Sequence, residues 1–145
     1  MATLFSRIID GEIPGRFVWS DDVCVAFLTI APQQLGHAMV VPRLEVDHWV
    51  DLPPDVCAHV FEVARLIGHA QLEEFDAARI GLLVQGYEIP HTHVHVWPSR
   101  TAEDFDLRHA LTDIGDAEMD AAAQRLRDRL RAHGHTDVPD AGPLP

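Results

Sequence analysis

The sequence predicts an α+β fold: a five-stranded antiparallel sheet with one long helix packed on it, followed by a variable helical C-terminal tail. Three observations carry that prediction. Short runs rich in β-branched and aromatic residues are separated by Pro, Gly and Asp punctuation. One stretch near the middle changes to three- and four-residue apolar steps. Three histidines alternate with strand-forming residues in His91-Thr92-His93-Val94-His95-Val96-Trp97. Residues two apart share one side of a strand and lie on different sides of a helix.

Each element follows in order. Residues 4–9 (LFSRII) open a short helix, ended by Asp10-Gly11 and Pro14. Residues 16–19 (RFVW) form a strand, Asp21-Asp22 a tight turn, and residues 23–30 (VCVAFLTI) the next strand. Pro32 and the stretch Gln33 to Gly36 break it before a third strand at 37–42 (HAMVVP). Such an order suggests an antiparallel meander. From Asp55, placed to cap after Pro53-Pro54, the apolar positions Val56, His59, Val60, Val63, Leu66, Ile67 and Ala70 describe an amphipathic helix to about Phe75. Residues 79–85 (RIGLLVQ) form a fourth strand, 86–90 a tight connection, and 91–97 the fifth strand. A second helix is expected over about 116–133, with Met119, Ala123, Leu126 and Leu130 on one side and a solvated charged face opposite. We read 1–100 as the domain core, 101–135 as a helical extension packed on it, and 136–145 as a disordered, Pro/Gly-rich tail.

Composition narrows function before any motif does. A chain of 145 residues can bury a real core without a disulfide or structural metal. Its formal charge of −12 disfavours nonspecific nucleic-acid or anionic-membrane partners. Every basic residue is arginine, so Schiff-base lysine chemistry and a P-loop lysine are excluded. Cys24 and Cys57 form no CxxC pair and read as small hydrophobes. Charges at Arg7, Asp10 and Glu12 interrupt any signal-peptide apolar region, and no window approaches a membrane span. The expected compartment is the cytoplasm.

On a strand, His91, His93, His95 and Trp97 share one face, with imidazoles about 6.6 Å apart along it. That gap suits a tetrahedral phosphate or a metal ion. A metal requires three or four surrounding ligands, and three residues on one flat strand do not surround an ion. Phosphate chemistry asks for less. One imidazole attacks phosphorus while a neighbour hydrogen-bonds the nonbridging oxygens.

The pattern HTHVHVW resembles the signature of the histidine triad (HIT) family. The resemblance extends over LFSRIIDGEIP, AFLTIAPQQLGHAMVVP, a helix and LLVQGYEIPHTHVHVWP, roughly residues 3–98. It implies a nucleotide hydrolase or transferase and a homodimer. It implies that His93 attacks the α-phosphorus to form a nucleotidyl-histidine, that His95 binds phosphate oxygens, and that His91 and His37 complete the network. It further implies a purine pocket of Leu4, Phe5, Ile8, Ile13, Phe27, Ile30 and Met39, residue types equally suited to plain core packing.

Four departures bear on recognition. Thr29 stands where relatives often carry a ribose-chelating acid, and offers at most one hydroxyl contact. Thr3, Ser6 and Glu45 stand where some relatives hold a structural zinc, which argues against that zinc. The loop before the triad is short, with Gln85 in place of a lost amide and Glu88 where relatives use a small polar residue near the leaving group. Arg100 falls one step later than the family's arginine. The expected function is therefore hydrolysis or transfer at the α-phosphorus of a nucleoside phosphate: a phosphoramidate, an acyl-adenylate or a dinucleoside polyphosphate. No cofactor or metal is required. The alternatives are a nucleotide-binding regulatory module with little turnover and a histidine metal-binding protein.

Overall fold

A computed structural model describes residues 2–144. Its elements are α1 (Leu4–Ile9), β1 (Phe17–Ser20), β2 (Cys24–Leu28), β3 (Ala38–Pro42), α2 (Pro54–Glu74), β4 (Arg79–Leu83), β5 (Val94–Ser99) and α3 (Asp116–Ala132), with short 3-10 turns at 49–51, 102–105 and 107–109. The five strands form one antiparallel sheet in the order β1-β2-β3-β5-β4. The α+β architecture and the element order are as the sequence predicts.

The sheet separates two apolar clusters. On one face Ala26, Leu28, Ala38, Val40, Val94 and Val96 meet Val60, Val63, Ala64 and Ile67 of α2, and α3 adds Met119, Leu126 and Leu130. Each such side chain removed from water contributes roughly 1.5–3 kcal/mol before entropy is charged against it. On the other face Val25, Phe27, Met39 and Val41 meet Phe5 and Ile8 of α1. His95 lies on this second face, because β5 alternates and its valines point to α2, and the rings of His91 and His93 lie edge-on to Phe5 there.

Several boundaries move. Asp55 does not cap α2: Pro53 is the N-cap, Pro54 fills the first helical position, and no side chain caps the end. Pro54 needs no N–H partner there, so the start is tolerated without a cap. β2 ends at Leu28 and β4 at Leu83. More consequentially, β5 begins at Val94, so His91 and His93 precede the strand. Val40 pairs with Val94, and continuing that register would set Pro42 opposite Thr92. Proline has no N–H for the ladder. Thr92 instead turns its N–H to the Val46 carbonyl at 2.7 Å.

The segment 136–145, read from composition as disordered, is held against the domain through its first half. Ser20 N donates to the Asp137 carbonyl at 2.9 Å, and the Arg131 guanidinium donates to the carbonyls of Val138 and Pro139 and to the Asp140 carboxylate. Leu144 lies against the second cluster. Pro145 is outside the described residues.

Candidate active site

The histidines meet where β3 and β5 run side by side. The His93 and His95 rings are 5.0 Å apart between centroids, and His37 and His95 are 5.1 Å apart. A cavity of about 230 Å³ opens beside them, lined by Thr29, His37, Gln85, Glu88, His93 and His95 among others. His91 is not on its wall; its ring is fully buried behind the others.

Hydrogen bonds fix which nitrogens carry protons. His93 Nδ1 lies 2.8 Å from the His91 carbonyl, which can only accept, so Nδ1 carries the proton and Nε2 keeps its lone pair. Gln33 N donates to His37 Nδ1 at 3.0 Å, so the His37 proton sits on Nε2 and is donated to His95 Nδ1 at 2.9 Å. A neutral His95 then carries its own proton on Nε2. Among the described residues, the Nε2 atoms of His93 and His95 have no hydrogen-bond partner, yet neither is sealed off. The single buried, unpartnered side-chain polar atom among the described residues is Gln71 Oε1. The arrangement thus presents a bare nucleophilic nitrogen beside a neutral hydrogen-bond donor.

Burial favours the uncharged rings. It lowers His93, against the opposing hydrogen bond to the His91 carbonyl, and pushes His95 down to about 4 and His37 to about 3. A nucleophilic imidazole must be unprotonated, so the environment keeps it ready at neutral pH. The sign for stability follows. Released from the fold, histidines take protons near 6.5, whereas the folded rings resist until about 4 and 3. Stability is therefore complete above pH 6.5 and is lost as pH falls towards the folded values, by up to ~1.4 kcal/mol per pH unit for the buried His37. Urea unfolding at pH 7 and pH 5 checks this; equal midpoints would contradict it.

Spacing in the sequence does not reveal several supports of the site. Gln33 Nε2 donates to the carbonyls of Asp104 and Asp106, which fixes the backbone that sets the His37 tautomer. Gln71 Nε2 donates to the carbonyls of Gly36 and Val96, the residues next to His37 and His95. Trp97 lies tilted 5.2 Å from His37 and donates to the Asp104 carbonyl.

Of the expected nucleotide contacts, Thr29, Gln85 and Glu88 line the cavity. The Thr29 hydroxyl accepts from Ala31 N and retains its proton for a ligand. Phe5, Ile8, Phe27 and Met39 gather in the second cluster, with Phe5 edge-on to His93 at 4.8 Å. Ile13, Ile89 and Leu144 cover them. Leu4 is exposed, and Ile30, 89% exposed, lines a separate cleft against α3.

The matching family model is the HIT domain, over residues 10–102. The chain belongs to the HIT family. This HIT protein is 33% identical over 99 residues to an uncharacterized HIT-like protein of Methanocaldococcus jannaschii, an alignment covering 66% of this chain and 77% of that one. It is 29% identical over 140 residues to the adenylylsulfatase HINT3 of Arabidopsis thaliana, covering 90% of this chain and 68% of that one. In fold it resembles the crystal structure of a Zn-bound histidine triad family protein from Mycobacterium smegmatis, with a TM-score of 0.78 at 24% identity over 92% and 96% of the two chains. Family membership, with an adenylylsulfatase among the relatives, supports a nucleotide-phosphate hydrolase or transferase as the general class.

Thr3, Ser6, Glu45 and His91 do not suit a zinc ion in this HIT protein. Glu45 Oε1 already accepts from Thr3 N at 2.9 Å and Ser6 Oγ at 2.7 Å, and His91 Nδ1 meets Thr3 Oγ1 at 2.7 Å. Two hydroxyls replace the thiolates that zinc favours. Elsewhere Asp21, Cys24 and His59 bring candidate ligand atoms within 4.8 Å of one another. There the Asp21 carboxylate is saturated by Trp19 Nε1, His59 Nε2 and the N–H groups of Val23 and Cys24. Burial would raise that carboxyl, but these bonds outweigh it and hold it at about 2. It is a turn cap.

Proposed function

We propose that this protein is a nucleotide hydrolase or transferase that works through a nucleotidyl-histidine intermediate on His93. The observation carrying the reading is the pinned His93 Nδ1–H, which leaves Nε2 bare in a cavity shared with His95. Nε2 attacks the α-phosphorus of a nucleoside 5′-phosphate derivative. The bond from phosphorus to the leaving group breaks, and that group departs with the electron pair and takes a proton from solvent, which the water consumed in the second step returns. Water then attacks the phosphorus, the P–N bond breaks back to imidazole, and a mononucleotide is released. His95 Nε2–H donates to a nonbridging oxygen as charge develops there. His37 acts through His95 as a positioning residue, and His91 supplies the carbonyl that orients His93.

Substrates of this class include phosphoramidates, acyl-adenylates and dinucleoside polyphosphates, with a purine mononucleotide as product. Thr29 contacts the ribose, and Gln85 and Glu88 face the leaving group. The base occupies the face of Phe5, Ile8, Phe27 and Met39 once the side chains of Ile89 and Leu144 withdraw. The test is a hydrolysis screen across leaving groups with rapid quenching, in which wild type accumulates a phosphorus-linked adduct and His93→Ala does not. Nucleotide binding with no turnover across the screen would instead support a binding module.

The partner we propose is a second copy of this chain. β4 ends the sheet with an unpaired edge, and beside it Phe61, Ala64, Gly68, Leu72, Ile80 and Leu82 line an apolar groove of about 310 Å³. A two-fold axis would pair β4 with itself and bury that groove. Sedimentation equilibrium should report a dimer for wild type and a shift to monomer for Leu82→Glu; a wild-type monomer at tens of micromolar would overturn the assignment. The free thiols of Cys24 and Cys57 fit a reducing, cytoplasmic setting.

A further inference from the structure

We infer that Thr3 is a positioning residue for the nucleophile, acting through His91. The inference rests on the reading of His93 given above. Every polar atom of the buried His91 has one partner. Nε2 donates to the Pro42 carbonyl at 2.8 Å, the backbone carbonyl accepts from His93 Nδ1 at 2.8 Å, and Nδ1 meets Thr3 Oγ1 at 2.7 Å. Because the Pro42 carbonyl can only accept, the His91 proton is on Nε2, and a neutral ring then needs a donor at Nδ1. The Thr3 hydroxyl is that donor.

Its direction is enforced. Thr3 Oγ1 already accepts from Ser6 N at 3.1 Å as the N-cap of α1, which engages one lone pair and leaves the hydroxyl proton to be donated. The competing acceptor, Ser6 Oγ, is farther away at 3.3 Å and spends its own proton on Glu45 Oε1. Glu45 also accepts from Thr3 N, which fixes the residue's backbone. Hydrogen bonds to Thr3 and Ser6 hold the Glu45 carboxyl below the usual carboxylate range, so it stays an acceptor through neutral pH. A chain of hydrogen bonds thus runs from the N-cap of α1 to the reacting nitrogen: the Thr3 hydroxyl donates to the His91 ring, the His91 carbonyl accepts from His93 Nδ1, and a bare Nε2 stands at the far end.

Without the hydroxyl, His91 Nδ1 is left buried and unpartnered. The ring then gains by reorienting, and its carbonyl loses registration with His93. His93 is no longer confined to the tautomer with a free Nε2. None of these groups needs to touch substrate, so the loss appears in kcat rather than in KM.

Thr3→Val removes the hydroxyl while keeping the shape. Its kcat should fall about 10- to 100-fold with KM within about twofold, the scale of a lost supporting hydrogen bond at a reactive histidine. Thr3→Ser should restore kcat to within about threefold. Imidazole 15N shifts of the wild type should report a proton on Nδ1 of His93 and on Nε2 of His91, with mixed His93 tautomers in Thr3→Val. The inference is overturned by a wild-type His91 protonated on Nδ1 alone, by Thr3→Val with unchanged kcat and 15N pattern, or by Thr3→Ser behaving like Thr3→Val. The 15N measurement requires no turnover, so it decides the relay even if the proposed chemistry fails.

Discussion

Replacing His93 with Ala should lower kcat/KM by on the order of 10⁴- to 10⁶-fold, the scale seen when an enzyme loses its nucleophile. The substitution removes the one ring nitrogen held bare and open to the cavity. Nothing nearby replaces it. His95 carries its proton on Nε2 because His37 donates to its Nδ1, and His91 is fully buried with both ring nitrogens engaged. KM should change by only a few fold, since the His93 ring packs edge-on against Phe5 and His95. By contrast, His95→Gln removes a donor to the developing oxyanion, and its expected cost is about 10²- to 10³-fold. Steady-state kinetics on one phosphoramidate measures both. A His93→Ala enzyme retaining a tenth of wild-type kcat, or a His95→Gln enzyme as inactive as His93→Ala, would reverse the assigned roles.

Gly36→Ala should be a severely damaging single methyl addition near the site. Gly36 adopts φ +94°, a region that costs an L-residue about 1–2 kcal/mol. An added Cβ would also lie 2.5–2.9 Å from three carbons of the Phe75 ring. Phe75 cannot easily retreat, because the Arg125 guanidinium stacks 4.6 Å from its centroid and its carbonyl accepts from Arg100. Overpacking of this kind typically adds about 1–3 kcal/mol, giving a total loss of roughly 2–5 kcal/mol. The damage reaches the chemistry, because the Gly36 carbonyl is held by Gln71 and the next residue is His37. Thermal unfolding checks the prediction. A melting temperature within a degree or two of wild type would show that the turn has room this geometry denies.

What the sequence made legible was periodicity. Alternation gave the strands, the three- and four-residue steps gave α2, and HTHVHVW pointed to phosphorus chemistry. What it hid depends on chain reversals that bring distant groups together. Pro42 ends the β3–β5 ladder, so His91 and His93 leave the strand and His91 turns inward to bond the Pro42 carbonyl. Gln71 reaches backbone 25 and 35 positions away, and Gln33 reaches Asp104, 71 positions on. No spacing rule finds such side-chain-to-carbonyl bonds. The apolar set was legible as a cluster but not as a covered one, because Leu144 comes from a segment whose composition suggests disorder. Thr3, Ser6 and Glu45 were legible as a missing zinc set; their mutual hydrogen bonds, and the tie to His91, appear only once α1 is folded against the segment after β3.

The most direct test of a covalent nucleotidyl-histidine is the stereochemical course at phosphorus. A substrate made chiral by sulfur at the α-phosphorus and hydrolysed in 18O-labelled water undergoes two in-line displacements if His93 intervenes. The nucleotide released should then retain the starting configuration. Inversion would mean that water attacked the substrate directly and that no phosphorus–nitrogen bond formed on the path.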